Sequence, residues 1–252
     1  MKNYYLGIIG LAAAVVASSA NAADLRTPIN KAPAMAPVAY NWSGCYLGIS
    51  GGGNWGSSRA TSASGVFSGL PITNDFDLSG GLLGGQVGCN YQVGSWVFGV
   101  ENDLSWTNKT GTGRDIPPFN VAATNELKEK WIDTLRGRAG FAWDRAYLYA
   151  TGGIAFAGTS LTVCGPGACA SDSQTRTGWT LGAGLEYAVW ENVSLKLEYL
   201  HVDFGTDRYM NPAITVPGVG TFDTRDVRLT DDIVRAGLNW RFSSGGLFGA
   251  RY

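Results

Sequence analysis

Nine charged side chains, several of them two residues apart, interrupt segments that are otherwise apolar or rich in small residues. They are four acids and five bases: Glu101, Asp103, Glu186, Glu198, Arg136, Arg138, Lys196, Arg235 and Arg241. Residues two apart lie on one face of a β-strand, so strands in these segments would gather the charges on one side. Enclosed acids and bases are expected to pair, because an isolated buried charge is very costly.

A paired cluster of this kind supports two hypotheses. One is a plug of salt bridges that fixes the shape of a closed interior. The other is a narrow, water-filled conduit whose ion pairs rearrange to gate solutes. A barrel of about eight strands is only just wide enough to hold its own side chains, which favours the plug.

Catalysis is the other chemistry to consider. His201 is the single histidine, and Asp203 follows two residues later. Both share the parity of Tyr199, which lies on the apolar side of its segment, so we expect them at a membrane surface and not in a pocket. Spacing assigns no nucleophile and no oxyanion donor. The sequence therefore predicts a protein that is not an enzyme and that carries no cofactor.

The four cysteines indicate an oxidising compartment. They are far apart as pairs and accompany a single histidine, so their spacing does not predict a zinc site. Cys164 and Cys169 bracket a turn-rich stretch that a disulfide could close. Cys45 and Cys89 fall on neighbouring predicted strands, where they form either a cross-strand disulfide or two free, lipid-facing thiols.

Two-residue alternation between residues 42 and 242 predicts the strands that position these groups. We expect an all-β fold, an eight-stranded antiparallel transmembrane β-barrel, with strands at residues 42–53, 80–93, 96–108, 128–143, 146–161, 175–188, 192–205 and 226–242. Short connections at 94–95, 144–145 and 189–191 alternate with long ones at 54–79, 109–127, 162–174 and 206–225. Short periplasmic turns and long extracellular loops are typical of outer-membrane barrels.

The two faces of the predicted strands differ in polarity. In the third strand, Trp96, Phe98 and Val100 lie on one face, whereas Glu101 and Asp103 lie on the other. A soluble protein would turn the apolar face inward. A small transmembrane barrel instead turns it to lipid, so the sequence predicts that the charges lie in the lumen.

The N-terminal segment has the features of an export signal. Lys2, an apolar run over residues 6–17 and a small-residue site ending at Ala22 predict a signal peptide at 1–22, cleaved after Ala22 on the Sec route. The alternative, a membrane anchor, is disfavoured because the run is shorter than the roughly 20 residues a bilayer needs. We expect residues 23–41 to be a flexible, Pro-rich periplasmic lead-in, 42–242 the barrel and 243–252 a short tail. A net charge of -1 gives no indication of nucleic-acid binding.

Several segments resemble one family closely. They are residues 41–48 (NWSGCYLG), 134–140 (TLRGRAG), 149–153 (YATGG), 178–187 (GWTLGAGLEY), 196–200 (KLEYL) and 234–242 (VRAGLNWRF). The chain is similar here to the porin-like outer-membrane immunogenic proteins of alphaproteobacteria, small surface antigens with an OmpA-like barrel. The resemblance implies that the barrel-assembly machinery reads a closing aromatic, either Phe242 or Tyr252.

The expected function follows from both arguments. We expect a protein of the cell outer membrane, surrounded by lipid and lipopolysaccharide, with a structural and porin-like role. The alternative is a surface receptor or adhesin that binds a host or small-molecule ligand through the long loops at 54–79 and 206–225. Some members of the family bind haemin, but no second ligand accompanies His201.

Overall fold

A computed structural model describes residues 40–216 and 220–242 of the chain. The predicted signal peptide, the tail at 243–252 and nearly all of the lead-in at 23–41 lie outside these ranges. Within them, no helix is both long and apolar enough to cross a membrane.

Eight long antiparallel strands and three short ones make up this part of the chain, with one 3-10 turn at Gly65–Phe67. The strands are β1 (Gly44–Ser62), β2 (Phe76–Val93), β3 (Trp96–Thr107), β4 (Thr110–Arg114), β5 (Thr124–Trp143), β6 (Ala146–Gly165), β7 (Ala168–Ala188), β8 (Val193–Tyr209), β9 (Ile214–Val216), β10 (Gly220–Phe222) and β11 (Arg225–Phe242).

The long strands close into a ring. Each pairs with its neighbour along the chain, and β1 pairs with both β2 and β11, so that Gly48 lies between Gln86 and Asn239. Short β4 continues the path of β3 between β2 and β5, while β9 and β10 form a separate hairpin. Closure satisfies the backbone hydrogen bonds of the long strands, which is what a spanning β-structure needs in lipid.

The tight turns lie together at one end of the barrel. β2 and β3 are joined through Gly94, and β5 and β6 through Asp144, which have φ values of 60° and 52°. Two-residue hairpins favour positive φ because it matches the twist of the flanking strands, and glycine or aspartate tolerates it.

The predicted long loops are mostly strand, and this corrects the strand ends given above. β1 extends to Ser62, and β6 and β7 take up the predicted loop 162–174 except for Pro166 and Gly167. Apart from β3, the long strands have 17 to 21 residues. Roughly 9–11 residues are enough to span a bilayer, so the barrel continues well beyond it.

The two halves of the barrel have opposite polarity. In β6, Leu148 and Ile154 point outward and are exposed, whereas further along the same strand Leu161 and Val163 point inward and are buried. The outward face there carries hydroxyl groups such as that of Thr162, which bonds to Ser171. The turn-side half therefore has the pattern of a membrane barrel, and the outer half has that of a water-soluble barrel with an apolar core.

Exposed aromatic rings border the apolar outer surface. One set lies near the short turns and the other where the polarity reverses: Tyr91, Trp96, Trp143, Tyr187 and Trp240, and Trp55, Trp106 and Trp179. Tryptophan and tyrosine favour the two interfaces of a bilayer. The rings therefore mark the limits of the membrane-spanning half.

Candidate functional site in the barrel lumen

Five strands deliver charged side chains to the lumen of the membrane half. The groups are Glu101 and Asp103 on β3, Arg136 and Arg138 on β5, Glu186 on β7, Lys196 and Glu198 on β8, and Arg235 on β11. Strand register already sets opposite charges side by side: Glu101 lies beside Arg136, and Glu198 beside Arg235. All eight residues are buried.

Glu101 is the centre of this charge network. It accepts hydrogen bonds from Arg136 Nη2 at 2.5 Å, Lys196 Nζ at 2.9 Å and Arg138 Nη1 at 3.0 Å. The hydroxyl of Tyr46 donates a fourth at 2.6 Å. Charge-assisted hydrogen bonds of this kind compensate the carboxylate for its lost hydration.

The remaining acids complete the network. Arg235 bridges Asp103 and Glu198, with N···O distances of 2.6 Å to each, and Arg136 contacts the same two carboxylates at 2.8 and 3.0 Å. Glu186 binds Arg138 Nη2 at 2.7 Å. Four bases therefore face four acids, and the network is neutral as a whole.

Aromatic residues close the lumen on the side of the short turns. Trp42, Tyr147 and Tyr149 are buried there, and the guanidinium of Arg138 lies 4.0 Å from the centre of the Tyr149 ring. Trp42 Nε1 donates to the carbonyl of Asp144, in the turn between β5 and β6. Trp42 lies just before β1, and β1 is on a different side of the ring from the β5–β6 turn. The chain therefore crosses the turn-side end of the lumen.

Apolar residues close the lumen on the other side. A buried cluster fills the outer half of the barrel, with members from most of the long strands, among them Leu78, Leu127, Leu161, Val202 and Leu229. The described interior is therefore filled by an aromatic layer, the charge network and a largely apolar layer that also encloses the ion pairs of Lys109 and Arg225. An eight-stranded barrel has room for side chains of this kind and little more.

The comparison with known proteins identifies the family. The family model for the outer membrane protein beta-barrel domain matches residues 9–242. The chain belongs to this outer-membrane barrel family. The 31 kDa outer-membrane immunogenic protein of Brucella melitensis is 33% identical over 253 residues, covering 96% of this chain and 100% of the relative. The 22 kDa outer membrane protein of Rhizobium leguminosarum is 34% identical over 181 residues, 69% of this chain and 71% of the relative.

A solved structure supports the fold. The outer membrane protein OprG from Pseudomonas aeruginosa superposes with a TM-score of 0.52 at 14% sequence identity, covering 81% of this chain and 99% of OprG. The fold class and the resemblance to the immunogenic proteins are confirmed, and this member of the barrel family is a protein of the Gram-negative outer membrane.

Two residues at the end of β11 complete the predicted set for this barrel protein. Arg241 does not join the charge network, which corrects its assignment. It lies at the turn-side rim, where its guanidinium stacks on the Tyr40 ring at 4.4 Å and donates to the carbonyl of Glu191 at 2.6 Å. β11 has passed the charged layer by this position. Phe242 ends the strand, pairs with Cys45 and is exposed.

Two further groups of buried ion pairs include residues of the predicted loops. Lys109, Asp115 and Arg225 fall in the predicted loops 109–127 and 206–225, whereas Glu129 and Asp231 fall on predicted strands. The ammonium of Lys109 lies between Glu129, 3.1 Å away, and Asp231. Arg225 binds Asp115 farther out. A β-bulge after Glu129 shifts the alternation of β5, so simple parity does not reveal this inward carboxylate. The apolar inward residue two positions before it, Leu127, is the sequence signal that could have revealed this inward face.

The cysteines and the candidate catalytic pair take separate places. Cys45 is bonded to Cys89 across β1 and β2, and Cys164 to Cys169 at the tip of the β6–β7 hairpin. His201 Nδ1 lies 2.9 Å from Asp232 Oδ1, on the outward face near the polarity reversal. Asp203 instead pairs with Arg228 at 2.7 Å. The structure therefore does not bring His201 and Asp203 together as a dyad.

Ion pairs also decorate the outward face of the water-exposed half. Arg59 donates two hydrogen bonds to Asp75, at 2.6 and 2.7 Å. These hydrogen bonds hold the pKa of the Asp75 carboxyl below its usual value. Arg208 and Asp226 form a similar pair at 2.8 Å. Exposed ion pairs contribute little to the free energy of unfolding, so the stability of the barrel does not depend strongly on this surface.

Proposed function

We propose that this protein is a structural surface component of the outer membrane, and that its barrel does not conduct solutes. The observation that carries the proposal is the neutral network of four bases and four acids, buried between an aromatic layer and an apolar layer. The description porin-like then applies to the family and the barrel architecture of this protein, and not to the passage of solutes.

The energetics of the network support closure. An ion that passes through the lumen would have to break contacts such as those of Arg235. The guanidinium nitrogens of this residue lie 2.6 Å from carboxylate oxygens of both Asp103 and Glu198. Breaking a buried pair by removing one partner costs about 3–5 kcal/mol, because the other charge stays buried without compensation. Opening a path through several such pairs at once is correspondingly rare.

The proposal assigns roles to the remaining surfaces. The apolar band contacts membrane lipid, with lipopolysaccharide in the outer leaflet, and the terminal aromatic Phe242 is the residue we assign to recognition by the barrel-assembly machinery. We infer that the role is not enzymatic. Replacement of His201 by alanine is expected to change none of the protein's activities, since its imidazole lies on the outward face of β8, hydrogen-bonded to Asp232 at 2.9 Å and beside the Trp179 ring.

Single-channel recording in a planar bilayer tests the proposal. The refolded mature protein, shown to be folded by heat-modifiable migration on a gel, should give no steady openings. Steady openings whose amplitude changes in Arg136→Ala or Glu101→Gln, but not in the matched outer-face variant Thr162→Ala, would establish a lumenal conduit and overturn it.

A further inference from the structure

A cavity of about 290 Å³ lies at the water-exposed end of the barrel, away from the charge network. Three segments line it: residues 115–123 between β4 and β5, residues 163–166 at the tip of the β6–β7 hairpin, and residues 221–225 from the end of β10 to the first residue of β11. The cavity thus lies where separate connections converge on a packed scaffold, the usual setting for a binding site.

A buried arginine forms part of its wall. Arg225 is 7% exposed, and its two terminal nitrogens donate to both oxygens of Asp115, at 2.9 and 3.0 Å. Its Nε has no hydrogen-bond partner among the described residues. This atom is shielded from the cavity, so the arginine contributes a fixed, charge-balanced wall that holds Asp115 in place.

The other walls combine aromatic and polar groups. Phe119 and Phe222 supply ring surface, and Asp223 is exposed at the edge of the cavity. Asp115 and Arg225 neutralise each other, so the carboxylate of Asp223 leaves the lining with a net negative charge. Such a lining disfavours anions. It offers the carboxylate of Asp223 and the amide of Asn120 to hydroxyl groups, and apolar ring faces to carbon-bound hydrogens.

We propose that this cavity binds a single neutral sugar residue, either free or at the end of a glycan. Its volume is at the lower end of the roughly 300–1,000 Å³ that small-molecule sites span, which suits one ring and not a larger ligand. The side-chain amide of Asn120, which also lines the cavity, donates to a ring or hydroxyl oxygen, while Asp223 accepts from hydroxyl groups. The site goes beyond the structural role and does not depend on it.

The hairpin disulfide positions one wall. Cys164 and Cys169 join the ends of the turn that carries Gly165 and Pro166, both of which line the cavity. Without the bond, this exposed tip would lose conformational restraint, and binding would have to order it again. The cysteines therefore act as positioning residues that do not touch the ligand.

Isothermal titration of the folded full chain in detergent, with the common neutral hexoses and their methyl glycosides, tests the site. At least one of these sugars should bind the wild type, whereas glucuronate should bind at least tenfold more weakly. Asp223→Asn should weaken binding roughly fivefold, since it replaces a charged hydrogen bond by a neutral one. Phe222→Leu and a Cys164→Ser, Cys169→Ser double variant should also weaken it. The matched control Asp77→Asn, on the outward face of β2, should not.

Several outcomes would overturn the proposal. They are failure of every neutral hexose, both as the reducing sugar and as the methyl glycoside, to bind the folded wild type, equal binding in Asp223→Asn and Asp77→Asn, or tighter binding of glucuronate. Binding of reducing sugars but not of methyl glycosides would identify a free sugar as the ligand, and the reverse a glycan end. Channel recording on the same sample keeps the two proposals separate, because loss of sugar binding leaves the lumen unchanged.

Discussion

Removing the charge of Glu101 while keeping its shape tests whether the lumen is dry. In the wild type, Arg136, Arg138 and Lys196 donate three hydrogen bonds to the Glu101 carboxylate at 2.5 to 3.0 Å. In Glu101→Gln, the same three bases would face a neutral amide. The amide nitrogen is itself a donor, so at least one of these contacts becomes repulsive. Four bases would then face three acids in a space closed to water.

The expected loss is large. Removal of one partner from a buried ion pair destabilises a protein by about 3–5 kcal/mol, and the side chains of Glu101 and Arg136 are both fully buried. A loss of this size lowers the equilibrium constant for folding by roughly two to four powers of ten.

Urea titration in phospholipid vesicles, followed by tryptophan fluorescence, measures the free energy of unfolding. The control is Glu101→Gln combined with Lys196→Met, which restores three bases to three acids and should recover most of the loss, since apolar replacement of a buried pair is often neutral. If Glu101→Gln costs less than about 1 kcal/mol, the network is hydrated and the argument for a dry plug is wrong. If the double variant is no better than the single one, charge balance is not what stabilises the lumen.

Three further predictions use the same measurement. Leu197→Arg, on the lipid-facing side of β8, should lower the free energy of unfolding by about 2–4 kcal/mol, whereas Thr162→Arg, outward on β6 above the membrane, should change it by less than about 0.5 kcal/mol; equal effects would place the membrane boundary elsewhere. Leu161→Ala should cost about 2–5 kcal/mol because this side chain is buried in the outer core, and a cost near zero would mean that the segment is a loop after all. Trp42→Ala should cost about 3–5 kcal/mol and expose the chain near residue 42 to added protease, a result that unchanged digestion would contradict.

Sequence alternation predicts the membrane half well because lipid and lumen impose opposite demands on adjacent residues. In β3, Val100 and Glu101 could not exchange faces without placing a charge in hydrocarbon. The outer half is harder to predict, because its polarity reverses. Leu161 and Thr162 still alternate, but the inward residue is now apolar and the outward one polar, as in any soluble sheet. Alternation that ignores polarity would have found these strands.

The network could be predicted in outline but not in its limits. Parity places Glu101 and Arg136 on one side, but β3 and β5 are joined through β4 and residues 115–123, and a connection of this length does not fix the register that makes them neighbours. Arg241 shares the parity but not the depth, and depth along the axis depends on the tilt and stagger of the strands. The position of Lys109 beside Glu129 depends on the short strand β4 and on the bulge in β5. Neither feature has a clear sequence signature, so this ion pair could not be predicted.

The reversal of polarity in the outer half also determines which kind of epitope the water-exposed surface presents to an antibody. The water-exposed surface consists largely of paired strands, in which residues adjacent in sequence alternate between the surface and the core. Ser160 and Ser173 are neighbours across β6 and β7 and hydrogen-bond at 2.9 Å, although 13 positions separate them in the chain. An epitope on this surface therefore runs across strands. A linear peptide copied from the same region would display the buried Leu161 beside Ser160 and present a surface that the folded protein never shows.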